Sequence, residues 1–401
     1  EKFLISTDFE GVEEAEDEGV VDTEWTMVKA AANTTLKTSM PAEWPDFRGN
    51  SNNNAVTSAP VPYVAESGTL YWAEKLGEGT DTGAVGNPIL VDGKIVTYAG
   101  STIYKVDPVS GEILDNAPMV GTSSFAITPP TYHKGMIFVA LSGGRVQAFN
   151  AQTLESLWVY EDPLGGQPNC PITVSDGRLY TGFWNQETMK ANFVCLTVTD
   201  ENPYQTHESK PASWYVTHKG GFYWAGACVR NGYVLVGTDD GDFDYVEQTS
   251  NLLLLDAKTG KQLDSWKGLD GDIRSTVMYD TATDAYYFTS KGGTFYSVRV
   301  ANGSIADRWS IALQNGTDGV PMSTSTPVVH NGRAYIGVSG VGQFAQYGGH
   351  NITVIDLGGK RIAYRVATHG YPQTSGLLTT AYEEDTGYVY VYFLDNMTPG
   401  K

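Results

Sequence analysis

The sequence is poor in cysteine, in positive charge and in long apolar runs, and each shortage excludes a class of protein. Cys170, Cys195 and Cys228 are its only cysteines, and they form neither a CxxC motif nor an adjacent pair. An odd and scattered set argues against a disulfide framework, so we predict that Cys228 is a small core residue. No run reaches about 18 apolar residues, so no segment is expected to span a membrane.

Acidic residues greatly outnumber basic ones. The chain has 46 Asp and Glu against 26 Lys and Arg, a formal net charge of −20 at pH 7. Such a surface repels nucleic acids and anionic lipids, so neither is an expected partner. Low cysteine with abundant Gly, Thr, Asn and Tyr is typical of exported bacterial proteins, which predicts an extracytoplasmic, secreted or cell-surface location. Glu1 opens the chain without a signal-peptide pattern, as expected of a mature or trimmed chain.

Four short β-strand patterns follow one another between Trp224 and Gly268. The predicted strands are Ala225–Arg230, Tyr233–Gly237, Asn251–Leu255 and Lys261–Lys267. Asn231 and Gly232 predict a two-residue hairpin between the first two strands, because both tolerate a positive φ. A lone unit of this kind cannot bury both faces of its sheet, so it requires copies packed face to face.

Copies of both hairpins recur along the chain, and the turns of the first hairpin lie about 42 to 55 residues apart. The first hairpin recurs at 91–96, 133–138, 175–180, 230–235, 279–287, 330–335 and 382–390. The second recurs at 104–114, 147–158, 254–266, 297–309 and 354–364. This pattern predicts an all-β fold: a β-propeller of four-stranded antiparallel blades, with seven visible repeats and seven or eight blades when complete.

The repeat region begins near residue 41, which divides the chain into two parts. Residues 1–40 are predicted to be an N-terminal β extension or the tail of a preceding domain, with a linker. Residues 41–401 are predicted to be the propeller, whose last blade is incomplete because Thr374–Leu394 supplies only two strands.

The last blade needs further strands to be complete. Leu70–Leu76 is predicted to be its outer strand and to close the ring. The gap that remains is expected to be filled by a further repeat beyond Lys401 or, in a bolder hypothesis, by Lys2–Phe9, either in its own ring or by strand exchange with a neighbouring copy.

Glu43–Asn54 reads EWPDFRGNSNNN and opens the repeat region. Three features resemble the propeller family of the pyrroloquinoline-quinone (PQQ) type, also called quinoprotein alcohol dehydrogenase-like. They are this motif, the Trp-containing segment Leu70–Leu76 and the recurring Asp-x-x-[Ser/Thr]-Gly-[Lys/Glu] turns. The resemblance extends from Trp44 to Lys401. For catalytic members it implies PQQ held by Ca²⁺ beneath a pair of adjacent cysteines. The non-catalytic branch resembles the outer-membrane assembly scaffold lipoprotein and many cell-surface propellers.

The sequence lacks the residues that the catalytic members require. It has no Cys-Cys pair and no CxxCH haem motif, and no Asp aligns as a catalytic base, so bound PQQ is not expected. The six histidines form no HxH or HExxH motif, so zinc is not expected either. We predict a non-enzymatic binding or scaffold protein. The alternatives are a quinone- and Ca-dependent oxidoreductase and a carbohydrate-active hydrolase, which needs two carboxylates across a cleft.

Long insertions between second and third strands fall on one face of the predicted ring. They are Gly182–Asn192, Thr238–Ser250 and Ser339–His350, and the connection His218–Trp224 joins them. Insertions gathered on one face of a repeat array often mark a binding face, here for a protein or glycan. The predicted binding residues are Trp184, Tyr223, Trp224, Phe243, Tyr245, Phe344 and Tyr347. The alternative is that these loops pack on one another as lids.

Thr238–Asp244 reads TDDGDFD, with several carboxylates around one glycine. Hard cations bind several oxygens at once and glycine permits a tight bend, which predicts Ca²⁺ bound by Asp239, Asp242 and Asp244. The ion would be structural and would hold the aromatic face in shape. The alternative is a solvated acidic loop, since the pattern lacks the final Glu of an EF-hand.

Overall fold

A computed structural model describes residues 36–61, 70–77, 83–123, 128–241, 249–313, 322–340 and 349–395. The predicted strands in residues 1–35 lie outside this part of the chain, and the division at residue 40 stays a prediction. The described residues form seven sheets, one for each of seven blades. The predicted all-β propeller is therefore confirmed.

The strands follow in chain order. Two short strands come first, β1 (Ala42–Trp44) and β2 (Val56–Thr57). Blade 1 has β3 (Ile89–Val91), β4 (Lys94–Ala99), β5 (Thr102–Val106) and β6 (Ile113–Pro118). Blade 2 has β7 (Thr131–His133), β8 (Met136–Leu141), β9 (Arg145–Asn150) and β10 (Ser156–Glu161). Blade 3 has β11 (Thr173–Ser175), β12 (Arg178–Gly182), β13 (Ala191–Thr197) and, after the short strand β14 (Glu208–Ser209), β15 (Trp214–His218).

The remaining blades continue the series. Blade 4 has β16 (Cys228–Arg230), β17 (Tyr233–Gly237), β18 (Thr249–Asp256) and β19 (Gln262–Asp270). Blade 5 has β20 (Met278–Asp280), β21 (Ala285–Thr289), β22 (Thr294–Ala301) and β23 (Ser304–Ala312). Blade 6 has β24 (Val328–His330), β25 (Arg333–Val338), β26 (Asn351–Asp356) and β27 (Arg361–Ala367). Blade 7 has β28 (Leu377–Thr379), the short helix α1 (Glu383–Thr386) and β29 (Tyr390–Tyr392).

The hairpin turns have the conformations that their residues predict. Asn231 and Gly232 have φ values of 51° and 79°, the two positive angles that a type I′ turn requires. In the second hairpin of blade 4, the Asp256 carboxylate accepts hydrogen bonds from the backbone N–H groups of Lys258 and Thr259 at 3.1 and 2.8 Å. Gly260 completes that turn at φ 71°.

The hydrophobic core lies between neighbouring blades, and the run Leu252–Leu255 shows why. Leu253 and Leu255 pack against residues of blade 3, whereas Leu252 and Leu254 pack against blade 5. Successive side chains of a strand point to opposite faces, so a strand buried on both faces is apolar throughout. Cys228 is fully buried in the core between blades 4 and 5, which confirms its predicted role.

Residues 42–57, here called the central segment, cross the axis of the ring. β1 pairs with the inner strand β3 of blade 1, and β2 pairs in parallel with the inner strand β28 of blade 7. Between them, the Asn53 amide donates to the carbonyl oxygens of Ala227 and Val277, both at 2.9 Å. These contacts lie along the inner strands, one end of which carries the first hairpin turns. The opposite end, which carries the loops between second and third strands and the connections between blades, is the loop-bearing face.

The predicted outer strand Leu70–Leu76 is wrong, because these residues form no strand. Within the described residues blade 7 contains only β2, β28 and β29, so an outer strand has no third strand to pair with. Leu70 and Tyr71 are 81% and 87% exposed. The ring is closed instead by β2 on β28, while the prediction that the last repeat supplies its first two strands holds.

Trp72 nevertheless occupies the position expected of an outer-strand tryptophan. Its indole N–H donates to the carbonyl of Pro108 at 2.9 Å, and its ring lies against Gly111 in the last turn of blade 1. Trp214 of blade 3 makes the same contacts with blade 4: its indole N–H donates to the carbonyl of Ala257, and its ring lies against Gly260. None of the described helical residues forms a helix long and apolar enough to cross a membrane.

Candidate binding face

Three of the predicted aromatic residues meet on the loop-bearing face. Trp184 comes from the loop between β12 and β13, and Tyr223 and Trp224 come from the connection between blades 3 and 4. The ring centroids are 4.5 Å apart for Trp184 and Tyr223, and 4.8 Å apart for Tyr223 and Trp224. We call these three residues the aromatic stack. The other predicted residues, Phe243, Tyr245, Phe344, Tyr347, Asp242 and Asp244, lie outside the described residues, so their part stays a prediction.

The backbone around the stack is tightly constrained. Trp224 has a φ of 60°, which is uncommon for a bulky residue and costs on the order of 1–3 kcal/mol. Gly220 lies so close to the segment after β17 that a Cβ there would come within 2.3 Å of the Gly241 nitrogen. Strained conformations persist only where the surroundings impose them, and they cluster at functional sites.

Five charged side chains lie directly beside the stack and form what we call the Arg274 cluster: Glu187, Asp239, Asp272, Arg274 and Lys291. Nη2 of Arg274 is 2.6 Å from Asp239, 2.9 Å from Glu187 and 3.1 Å from Asp272. Nζ of Lys291 is 3.2 Å from Asp272. The side chains of Asp239 and Asp272 are completely buried. Arg274 therefore sits at the centre of three carboxylates.

The protonation equilibria of the cluster follow from its burial and its charges. Burial raises the pKa of Asp239, an effect that Arg274 partly opposes. Burial disfavours the charge on Arg274, but Asp239, Asp272 and Glu187 outweigh it and raise the pKa of Arg274 above its ordinary value. Burial, followed by repulsion from Arg274, lowers the pKa of Lys291. Arg274 is thus the permanent positive charge of the cluster.

The cluster and the stack form one unit. The guanidinium carbon of Arg274 lies 4.6 Å from the centroid of the Tyr223 ring, a cation–π contact. Glu187 belongs to the β12–β13 loop, Asp239 follows β17, and Asp272 and Arg274 lie between β19 and β20. Lys291 follows β21. The contacts consequently join the loops of blades 3, 4 and 5 beneath the aromatic rings.

Only Asp239 of this cluster was predicted as a site residue. The other four residues carry no short motif, because stacking of the blades brings them together from distant parts of the chain. One signal was available in the sequence: each lies just beyond a strand end that points to the loop-bearing face. Alternating strand direction would have placed all five there.

The described residues do not fit a Ca²⁺-held quinone. The carboxylate oxygens of Glu187, Asp239 and Asp272 lie within 4.8 Å of one another, close enough to share an ion. Each of the three is already paired with Arg274, however. The three cysteines are free and separately buried, so none can form the adjacent pair. Ca²⁺ binding by Asp239, Asp242 and Asp244 stays a prediction, since two of these residues lie outside the described part.

Comparison with known proteins gives the same fold. A family model described as outer membrane protein assembly factor BamB matches residues 61–200. The structure is similar to quinohemoprotein alcohol dehydrogenase ADHIIG from Pseudomonas putida HK5, with a TM-score of 0.60, 12% identity and coverage of 84% of this chain and 68% of that chain. Quinohemoprotein alcohol dehydrogenase from Comamonas testosteroni is similar too, with a TM-score of 0.60, 13% identity and coverage of 86% of this chain and 69% of that chain.

BamB from Moraxella catarrhalis is also similar, with a TM-score of 0.50, 15% identity and coverage of 75% of this chain and 80% of that chain. A search of the curated proteins found no match. Structural likeness at such low identity establishes a shared fold and leaves activity open.

Proposed function

We propose that this chain, a β-propeller of the PQQ-type repeat family recognised in its sequence, is a non-enzymatic binding or scaffold protein that uses its loop-bearing face. The proposed location is extracytoplasmic, secreted or at the cell surface. The observation that carries the proposal is the pairing of Arg274 with three carboxylates. Groups that could hold a metal or act in catalysis bind one another instead, and they support three adjoining aromatic rings.

The same geometry disfavours both enzymatic alternatives. A quinone-dependent oxidoreductase needs a cation position, and Arg274 occupies the centre of the carboxylates. A glycoside hydrolase needs two carboxylates about 5 to 9.5 Å apart across a cleft. One oxygen from each carboxylate of the cluster lies within 4.8 Å of the other two, and the three carboxylates share one guanidinium.

A protein is the first candidate for the ligand. The matching family model is described as an outer membrane protein assembly factor, which favours a protein partner. Aromatic side chains are also enriched at the centres of protein interfaces, where they supply most of the binding energy. A glycan on the aromatic stack is the second candidate, because aromatic faces pack well against sugar rings.

The catalytic alternative can be tested directly with purified protein. PQQ and Ca²⁺ are added together, and reduction of a dye is followed with alcohols and sugars as substrates. We expect no turnover above that of PQQ with Ca²⁺ alone. Dye reduction that requires the protein and both additives would overturn the proposal.

The face itself can be tested by lysine cross-linking in producing cells. Lys190 and Lys219 belong to the loop and the connection that carry the stack, whereas Lys134 and Lys258 lie in turns at the opposite end. We expect partner cross-links through Lys190 and Lys219 that are lost in the double variant W184A/W224A. The control variant Tyr388→Ala removes an aromatic residue that is 69% exposed in blade 7 and should leave them unchanged. Cross-links confined to Lys134 and Lys258 would place the interface elsewhere.

A further inference from the structure

We infer that Arg274 is a built-in cation that holds the loop-bearing face in shape where a divalent ion could otherwise bind, and that removing its charge creates a cation site. The inference does not depend on the proposed function, since it concerns how the face is built. It gives Arg274 the structural role that the sequence predicts for Ca²⁺.

The position of one nitrogen atom carries the inference. Nη2 of Arg274 lies within 3.1 Å of a carboxylate oxygen from each of Asp239, Glu187 and Asp272. Ca²⁺ binds oxygens at about 2.3–2.6 Å, so two ligands on opposite sides of the ion are separated by roughly 4.6–5.2 Å. The three carboxylates offer oxygens within 4.8 Å of one another, so they need little movement to close around an ion.

The charge of the cluster points the same way. Three carboxylates with Arg274 and Lys291 carry −3 + 2 = −1 when all are ionised. A divalent ion added to this set would lie against a buried guanidinium and leave an excess positive charge, which is costly in a poorly solvated site. Without the guanidinium the fully ionised set carries −3 + 1 = −2, which a bound divalent ion neutralises.

Arg274 also performs the structural work of such an ion. Arg274 lies in the connection between blades 4 and 5. It binds Glu187 in a loop of blade 3 and Asp239 in a loop of blade 4, and it lies against the Tyr223 ring. The Nε–H of Arg274 donates to both carboxylate oxygens of Asp239 at 3.2 Å, which fixes the plane of the guanidinium. A face held by a covalently attached cation is insensitive to chelators.

The test compares Ca²⁺ titration calorimetry and thermal melting of the parent, R274M, E187Q and R274M/E187Q. Methionine has a similar length and no charge. For the parent we expect no Ca²⁺ binding that E187Q removes and no Glu187-dependent difference in melting between EDTA and millimolar Ca²⁺, because Arg274 already occupies the cluster. We expect R274M to melt about 5 °C or more below the parent in EDTA, because buried carboxylates lose their partner.

Ca²⁺ should recover at least half of that loss in R274M and should have no such effect in R274M/E187Q. Glu187 is the informative partner because it lies in blade 3, outside the acidic stretch 239–244. The control is Arg308→Met, since Arg308 likewise pairs with an aspartate, Asp264, and lies over an aromatic ring, Trp266. R308M should respond to Ca²⁺ no more than the parent does.

Three results would overturn the inference. The first is Ca²⁺ binding by the parent that E187Q abolishes, because the ion would then bind beside Arg274. The second is a folded R274M without Glu187-dependent binding. The third is an R274M that stays unfolded in excess Ca²⁺, because the ion would then be unable to replace the guanidinium.

Discussion

At the scale of single residues, Gly260 is constrained both by its backbone and by a neighbouring ring. It has a φ of 71°, and a Cβ there would lie 2.6 Å from the Trp214 ring. Gly260→Val should therefore destabilise the protein by about 1–2 kcal/mol through the left-handed backbone and about 1–3 kcal/mol through overpacking. Urea unfolding of the variant and the parent measures the sum.

Gly268 provides a matched control for that substitution. Its φ is 70°, but nothing lies within 4 Å of a Cβ placed there. Gly268→Val should show only the backbone cost of about 1–2 kcal/mol. If the two variants unfold at the same urea concentration, Trp214 does not restrict Gly260.

At the scale of elements, the central segment is the piece whose role only the structure reveals. Asn53 has a φ of 57° and donates through its side chain to the carbonyls of Ala227 and Val277. Asn53→Gly keeps the backbone conformation and removes both hydrogen bonds. It should cost about 1–3 kcal/mol for each buried carbonyl left unpaired. Chemical denaturation measures this loss.

Asn53→Ala separates the backbone contribution of the same residue. Alanine loses the same hydrogen bonds, and its Cβ is also unfavourable in the left-handed region. The free energy of unfolding of Asn53→Ala should therefore be about 1 kcal/mol lower than that of Asn53→Gly. If Asn53→Gly is as stable as the parent, the central segment is not anchored through Asn53.

Some elements are specified by local sequence signals, whereas others depend on contacts that form only in the folded ring. Turn residues such as Asn231-Gly232 and the apolar run Leu252–Leu255 are local signals, so the hairpins and their repetition could be predicted. The two-residue strand β2 has no pattern of its own, and its pairing with Leu378 depends on the closed ring. The Arg274 cluster forms only when three blades pack together, so no short sequence motif predicts it.

At the scale of the whole molecule, the two junctions of blade 7 differ from the others in the described residues. Elsewhere from blade 1 to blade 6, complete blades share continuous apolar cores. Blade 7 contributes only β28 and β29 with β2 in the described residues. Trp72 packs on blade 1 at this junction through Pro108 and Gly111.

Trp72→Ala should accordingly destabilise the junction between blades 7 and 1 more than the rest of the ring. Local opening proceeds from the region with the fewest buried contacts, so amide hydrogen exchange should accelerate in blade 1 and blade 7. Exchange in blades 3 to 5 should change far less, because their shared cores are intact. Trp214→Ala is the matched comparison: it removes the same kind of indole from a junction of complete blades and should cost about 3–5 kcal/mol of global stability. An equal acceleration in all seven blades of Trp72→Ala would mean that the ring opens as one cooperative unit and that this junction is no weaker than the rest.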